Sequence, residues 1–293
     1  MSAGARLPGT PEPMHRLGDA GSLRIACDTW GDLSSPWVLL LHGGGQTRHA
    51  WKGTGRSLAQ AGYRVAAFDA RGHGDSDWAD NGDYSYHAMA FDLQRVVHAL
   101  GAQRPAIVGA SLGGDTALVA LGEGLLEASA LVLVDVAPHI ERAGVGRIRE
   151  FMNQSPEGFD SLQSVADAIA SYQPHRARPK RLEGIAKNVR LGVDGRYRWH
   201  WDPAYRASHI DLHHRRDLLS DCARRITVPT LLVRGLLSDL LSEEGARDFL
   251  DLCPHSEYVR VSDAAHMVVG DRNDIFARSV ADFLARTVPV AAT

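Results

Sequence analysis

The chain of 293 residues has few cysteines, no long apolar run and no large excess of one charge, and each absence excludes a class of protein. Cys27, Cys222 and Cys253 are far apart and odd in number, which argues against a disulfide framework and favours a reducing compartment. No run of about 18 apolar residues occurs, so we expect no membrane span, and the first residues lack the apolar core of a signal peptide. The net charge of −3 gives no general case for nucleic-acid binding.

The charges are distributed unevenly along the chain. Residues 139–225 hold 16 Lys and Arg against 11 Asp and Glu, whereas the remainder holds 16 against 24. Because a narrow cleft focuses the field of the charges around it, a basic middle segment on an acidic body predicts a pocket mouth that favours anionic substrates.

Short apolar runs alternate with helical patterns on both sides of the basic segment. Runs such as WVLLL and ALVLV are typical of strands buried on both faces, as in a parallel sheet between layers of helices. Residues 139–225 interrupt the alternation with apolar stripes at helical spacing, for example over 179–192, and we interpret them as an inserted, mainly helical cap. The predicted body is therefore 14–138 and 226–288, and the Gly- and Pro-rich residues 1–13 are expected to be flexible.

A serine lies between glycines at the point where one apolar run ends. In Gly109-Ala110-Ser111-Leu112-Gly113, a predicted strand precedes the serine and a predicted helix follows it. Such a sharp turn strains the serine backbone, requires small neighbours and raises the hydroxyl to the carboxyl edge of the sheet. Ser111 is therefore a candidate nucleophile, although a serine in this position alone would more often be a helix N-cap.

A nucleophilic serine needs a base, and the base needs a carboxylate that orients it. His266 follows the last predicted strand and is the candidate base, and Asp239, after the preceding strand, is the candidate acid. Asp239 could instead cap the next helix, although Ser242 is better placed for that. Asp135 is the alternative acid because it also ends a strand, but the nearby Pro138 favours a role for it in bracing the exit into the cap.

Acyl transfer also requires two N–H donors for the oxygen that becomes negative. Leu112 N–H, at the start of the helix after the serine, is one candidate, and Gly44 N–H, in the early run HGGG, is the other. The residues predicted to contact the substrate are Gly43, Trp51, Trp199 and Trp201. The two tryptophans of the middle segment are also expected to pack the cap onto the body.

Five motifs in this order, LLLHGGG, FDARGHGDSD, VGASLGG, GLLSD and DAAHM, resemble those of the α/β-hydrolase superfamily over residues 16–287. The most similar members are serine esterases, lactonases and cofactor-free peroxidase-like enzymes with a helical cap. The resemblance implies a mostly parallel eight-stranded sheet with helices on both faces and a site at the carboxyl ends of the strands. Members that hydrolyse epoxides or remove halogens have aspartate in place of Ser111, so neither activity is expected. In similar proteins, histidines such as His42 and His73 brace loops.

The resulting expectation is a cytoplasmic serine hydrolase that needs no cofactor and cleaves a small carboxylic ester, lactone or thioester through an acyl-enzyme. The same triad could serve perhydrolysis or C–C bond hydrolysis, and a ligand receptor with little turnover is a further alternative. His209 and His213 have the i,i+4 spacing of metal ligands but lack a third ligand, so no metal is expected. Neither nucleic acid nor a membrane is an expected partner, and a homo-oligomer is compatible with the sequence.

Overall fold

Eight strands form one sheet at the centre of the protein, and the computed structural model describes residues 3–18, 22–174, 182–207, 211–266 and 273–290. The strands of this sheet are β1 His15–Leu17, β2 Ile25–Trp30, β3 Trp37–Leu41, β4 Arg64–Phe68, β5 Ala106–Ala110, β6 Ala130–Val134, β9 Thr230–Gly235 and β10 Glu257–Val261. Their order is β1-β2-β4-β3-β5-β6-β9-β10. All pairs from β4 to β10 are parallel, and β2 is antiparallel to both of its neighbours. The predicted mostly parallel sheet is confirmed.

Helices cover both faces of the sheet. Their bounds are α1 Lys52–Gln60, α2 Tyr86–Leu100, α3 Leu112–Gly122, α4 Arg142–Met152, α5 Leu162–Tyr172, α6 Glu183–Ala186, α7 Pro203–Ala207, α8 Leu212–Arg224, α9 Glu243–Leu252 and α10 Asn273–Thr287, with a short 3₁₀ helix at Arg48–Trp51. One hydrophobic cluster lies between the sheet and α2, α3, α8 and α9, and a second lies between the sheet and α1 and α10. The protein therefore has the three-layer α/β architecture that the sequence predicted.

The side chains of β3 explain why the sequences of the strands are continuous apolar runs. Leu39 and Leu41 belong to the first cluster, and Val38 and Leu40 belong to the second. Successive side chains of a strand point to opposite faces, so a strand buried on both faces has no polar alternation.

The cap contains α4 to α7 and a separate antiparallel pair of strands, β7 Val189–Leu191 and β8 Tyr197–Trp199. It differs from the prediction in two ways. The helix expected over 179–192 is reduced, within the described residues, to α6, because the chain pairs as β7 from Val189 onward. The packing also places α8 with the body, since Leu219, Cys222 and Ala223 lie in the first core cluster. The predicted boundary at residue 225 therefore included a helix that covers the sheet.

Part of the amino-terminal segment, for which the sequence predicts flexibility over residues 1–13, packs against the cap. Ala5 exchanges two backbone hydrogen bonds of 2.8 Å with Leu191 and so extends the β7–β8 pair. Leu7 lies in the hydrophobic cluster of the cap, and Arg6 forms an ion pair of 3.2 Å with Asp75 of the body. Residues 5–7 thus contact both the cap and the body.

A loop of the body, residues 69–77, carries much of the contact with the cap. Arg190 donates to Asp75 Oδ1 at 2.9 Å, and the backbone N–H of Asp202 donates to Gly72 O at 2.8 Å. His200 Nδ1 accepts a hydrogen bond of 2.8 Å from Gly74 N–H. The loop therefore holds the cap through both charged and neutral contacts.

Three buried imidazoles, those of His42, His73 and His200, lie together at this junction. The ring centroids of His42 and His73 are 5.3 Å apart, and those of His73 and His200 are 5.9 Å apart. Burial lowers the pKa of all three, that of His73 to about 3, and the neighbouring imidazoles contribute to the effect at His73 and His200. All three rings are therefore neutral in the folded protein near pH 7.

This cluster predicts a loss of stability in mild acid. The unfolded histidines titrate near pH 6.5, so the unfolded state binds more protons than the folded state once the pH falls below about 6.5. His73 and His200, whose pKa lies far below the ordinary value, should each lower the free energy of unfolding by about 1.4 kcal/mol per pH unit below that point. His200→Asn keeps an acceptor for Gly74 N–H and should reduce this slope by about one histidine's share, measured by urea unfolding from pH 7.5 to 5.

His98→Asn is the matched control because His98 is exposed on α2, and it should leave the slope unchanged. A His200→Asn slope equal to that of the wild type would contradict this account of the junction.

Candidate active site

Ser111 occupies a strained turn between β5 and α3. Its backbone has φ 47° and ψ −116°, a left-handed region that non-glycine residues rarely adopt. The Ser111 N–H nevertheless continues the sheet ladder by donating to Val134 O at 3.2 Å. The hydroxyl consequently stands at the carboxyl edge of the sheet, where α3 begins.

The glycines around Ser111 are required by close packing. A Cβ on Gly109 would lie 2.5 Å from Gly113 O, and a Cβ on Gly113 would collide with Leu41 O of β3. A Cβ on Gly114 would collide with Val136. The first turn of α3 thus touches the sheet directly, which explains the G-x-S-x-G pattern in physical terms.

His266 and Asp135 form a hydrogen-bonded pair. His266 Nδ1 is 2.8 Å from Asp135 Oδ2, and the side chains are 11% and 0% exposed. Asp135 directly follows β6 and, like Ser111, has a positive φ, of 50°. Its other contacts come from the end of β9 and the loop after it: Gly235 N–H donates to Oδ1 at 3.0 Å, and Ser238 Oγ donates to Oδ2 at 2.5 Å. The carboxylate is therefore held by three groups in a dry environment.

Asp239 does not contact His266, so the structure contradicts its assignment as the acid. Its carboxylate forms an ion pair with Arg147 of α4 and is 31% exposed. Close packing of the backbone explains why Asp239 meets Arg147 of α4. A Cβ on Gly144 would lie 2.5 Å from Asp239 O, so α4 packs tightly on this loop. Gly235 and Ser238 of the motif GLLSD instead donate to Asp135, the alternative candidate for the acid.

The glycine loop after β3 lies beside Ser111 in the cavity wall and leaves one N–H without a protein acceptor. Gly43 N–H donates to Gln46 Oε1 at 3.0 Å, and Gly45 N–H donates to His73 Nε2 at 3.2 Å. Within the described chain, Gly44 is the glycine of this loop whose N–H has no protein acceptor. This N–H and that of Leu112, at the start of α3, are the two donors that the sequence predicts.

His42 and His73 brace the loop. His42 Nε2 accepts from Ala70 N–H at 3.0 Å, and its Nδ1 is 2.8 Å from Gly43 O. His73 Nδ1 is 3.0 Å from Arg71 O, while its Nε2 accepts from Gly45. A backbone N–H can only donate, so both rings carry their proton on Nδ1.

A cavity of about 450 Å³ opens in front of Ser111 and His266, between the body and the cap. Gly43, Trp199 and Trp201 line it, as predicted from the sequence. The two tryptophans stack with ring centroids 4.9 Å apart and belong to the hydrophobic cluster of the cap, while their substrate contact remains a prediction. Trp51 does not line the cavity: it is fully buried in the second core cluster, against Phe276 at 5.9 Å.

The sequence analysis missed several groups in the cavity wall. Arg215 of α8 binds Asp115 of α3 through two hydrogen bonds of 2.9 and 2.7 Å, and it also donates to Pro138 O at 2.8 Å. Asp115 lies in the first turn of α3. Tyr205 of α7 lies over the glycine loop, since a Cβ on Gly44 would be 2.6 Å from its hydroxyl oxygen. No sequence motif marks Arg215 or Tyr205, because cap and body meet only in the folded chain.

The described residues contain no group of three or more His, Cys, Asp or Glu side chains arranged to hold a metal ion. His209, one of the two histidines at metal-ligand spacing, lies outside the described residues. None of the described helices combines the length and the apolar character that crossing a bilayer requires.

A family model described as the alpha/beta hydrolase fold matches residues 36–272, so the protein belongs to this family. It is similar to Esterase Rv0045c of Mycobacterium tuberculosis, with 28% identity over 280 residues that cover 93% of this chain and 90% of that one. It is also similar to the mouse (Mus musculus) sn-1-specific diacylglycerol lipase ABHD11, with 27% identity over 269 residues, 87% of this chain and 83% of that one.

The solved structure of E-2-(acetamidomethylene)succinate hydrolase resembles the protein with a TM-score of 0.80 and 24% identity, over 92% of this chain and 98% of that one. This likeness concerns the fold. Together, the family match and the esterase and lipase relatives identify the protein as a member of a hydrolase family.

The two candidate acids can be separated by isosteric substitution. Asp135→Asn should lower kcat/KM for any ester that turns over by on the order of 10²–10⁴-fold, because an amide neither holds the neutral histidine in the right tautomer nor stabilises its charged form. Asp239→Asn removes only a partly exposed ion pair with Arg147 and should cost less than about tenfold.

Thermal melts of both variants control for folding. If Asp239→Asn loses most of its kcat/KM while Asp135→Asn keeps nearly all of it, the assignment from the geometry is wrong.

Proposed function

We propose that the protein is a serine hydrolase that cleaves a carboxylic ester through an acyl-enzyme. The observation that carries the proposal is the 2.8 Å contact between His266 and the buried Asp135, on the wall of a cavity that Ser111 also lines. A nucleophile on a strained elbow, an imidazole and a buried carboxylate are the three groups that this chemistry requires. Lactones and thioesters present the same acyl carbon and would react by the same route.

In the first half of the reaction, Ser111 Oγ attacks the acyl carbon and His266 Nε2 takes the hydroxyl proton. The carbonyl oxygen becomes negative, and the N–H groups of Gly44 and Leu112 stabilise it. The positive end of the α3 dipole acts at the same point. Asp135 stabilises the imidazolium that forms. Collapse of the intermediate breaks the bond to the leaving group, which receives the proton from His266.

In the second half, water replaces the leaving group. His266 takes a proton from the water, whose oxygen attacks the acyl carbon of the ester to Ser111. The same two N–H groups stabilise the second oxyanion. Collapse returns the proton to Ser111 Oγ and releases the carboxylic acid, so the enzyme is regenerated without a cofactor.

The glycine loop supports this role because its geometry is fixed before substrate binds. The neighbours of Gly44 are held by Gln46 and by the neutral ring of His73. A preorganised donor costs no reorganisation when charge develops, which is the main advantage of an enzyme site over water. The esterase and lipase relatives agree with ester cleavage as the reaction.

Labelling with a fluorophosphonate tests the nucleophile. The wild type should gain the mass of one adduct, and Ser111→Ala should gain none, because only an activated serine reacts with this reagent. Ester turnover by Ser111→Ala should fall by at least about 10³-fold, measured with p-nitrophenyl esters of graded chain length.

Ser57→Ala is the matched control, since Ser57 is exposed on α1, far along the chain from the elbow, and it should label normally. A label mapped to another residue, or wild-type turnover by Ser111→Ala, would overturn the proposal.

A further inference from the structure

The wall of the active-site cavity carries an excess of positive charge. The charged side chains among its described lining residues, histidines apart, are Arg149, Lys187, Arg206, Arg215 and a single carboxylate, Asp115. Arg215 and Asp115 neutralise each other through their two hydrogen bonds of 2.7 and 2.9 Å. The remaining cations therefore face the cavity without a compensating acid in its described wall.

Arg149 of α4 is the clearest case. Its Nη2 atom is buried and has no hydrogen-bond partner within the described ranges. A guanidinium presents five N–H donors. Burying such a donor without an acceptor costs free energy, because its hydrogen bond to water is lost. The cavity that Arg149 lines is where an acceptor for this group would fit.

Lys187, directly after α6, is the second case. Its side chain is half-buried and lines the same cavity, with Asn188 beside it in the chain. Burial and the positive charge of Lys52 lower its pKa, and no carboxylate of the described chain opposes this effect. Burial, Arg48 and Lys187 together lower the pKa of His49, another lining residue, to about 4, so His49 supplies a neutral ring rather than a further charge.

Other arginines of the cap do have acidic partners. Arg147 pairs with Asp239, Arg190 pairs with Asp75 at 2.9 Å, and Arg198 pairs with Asp194 at 2.6 Å. These three arginines are thus neutralised by carboxylates of the body or of the cap. Within the described residues, Arg149 and Lys187 have no such partner and line the cavity.

The rest of the cavity wall is apolar. Ile148, Phe151, Met152 and Ile169 line it together with the two stacked tryptophans. Such a surface suits a hydrocarbon chain, and burial of each methylene group contributes about 0.8 kcal/mol. The site therefore combines an apolar wall with unpaired cations.

We propose that the substrate is an ester that carries a carboxylate as well as an apolar segment, and that Arg149 and Lys187 bind this carboxylate. This proposal rests on the serine-hydrolase function proposed above and specifies its substrate class. The carboxylate supplies the acceptors that Arg149 lacks and the negative charge that Lys187 lacks. The apolar segment lies along the wall between these cations and Ser111.

Matched pairs of p-nitrophenyl esters test the proposal. Mono-p-nitrophenyl suberate and p-nitrophenyl octanoate have the same chain length and differ by a terminal carboxylate in place of a methyl group. The wild type should prefer the carboxylate ester by about tenfold or more in kcat/KM at low salt, as expected for a hydrogen-bonded ion pair. Repeating the comparison with diacids and monoacids of shorter and longer chains should show an optimum length, because the cations are fixed in the wall.

Arg149→Met and Lys187→Met should each lower the ratio of kcat/KM for the anionic ester to that for the neutral ester by about tenfold. Arg147→Met is the matched control, since Arg147 is on the same helix and pairs with Asp239 outside the cavity lining. It should leave the ratio and the activity unchanged. Added salt should lower the ratio in the wild type and should have little effect in the two cavity variants.

A binding measurement separates failure of this proposal from failure of the proposed reaction. Calorimetry with Ser111→Ala, which cannot turn over, should show that monomethyl suberate binds at least about tenfold more tightly than methyl octanoate. Equal binding of the two methyl esters, or a preference that survives both Arg149→Met and Lys187→Met, would overturn the carboxylate site. Loss of Ser111 labelling with the binding preference intact would instead overturn only the reaction.

Discussion

Left-handed backbone at the ends of two neighbouring strands is the constraint on which the site depends. Ser111 ends β5 and Asp135 ends β6, with φ of 47° and 50°. Such conformations cost on the order of 1–3 kcal/mol each in a non-glycine residue. The sheet ladder stabilises them, because Ser111 N–H donates to Val134 O at 3.2 Å and Asp135 N–H donates to Val233 O at 2.7 Å. Both side chains are thereby turned out of the sheet while their backbones remain in it.

The same constraint explains which parts of the site could be predicted. Ser111 and the glycine loop have local signatures, since the close approach of α3 to the sheet leaves no room for a Cβ at Gly109 or Gly113. His266 could be found because it follows the last strand. The mostly parallel sheet was also predictable, because continuous apolar runs separated by helices favour a parallel sheet with two covered faces.

The acid could not be identified in this way, because Asp135 and Asp239 both follow strands that are neighbours in the sheet. The choice between them depends on the backbone angle at Asp135 and on the packing of α4 against the loop of Asp239, and neither has a local signature. Trp51 shows the same limit: it follows the glycine loop closely in sequence, but the 3₁₀ helix turns it into the core. Contacts between segments that are distant in the chain determine the positions of Asp135, Asp239 and Trp51.

Charge pairing in the cap also depends on distant contacts. The excess of basic residues over 139–225 was visible in the composition, but composition does not show which arginines meet a carboxylate. In the folded protein, Arg190 is neutralised by Asp75 of the body, whereas Arg149 is directed inward and lacks a partner among the described residues. The position of Arg149 in the cavity wall, rather than the number of basic residues in the cap, is therefore the basis for proposing an anionic substrate.

The pairing of Ala5 with Leu191 has a mechanical consequence. The cap is joined covalently to the body at its two ends, after β6 and before α8, and the amino-terminal segment adds a third attachment through Ala5, Arg6 and Leu7. These contacts add to those that the loop at residues 69–77 makes with Arg190, His200 and Asp202. Rotation of the cap as a unit away from the body would therefore break contacts of the amino-terminal segment as well as contacts of this loop.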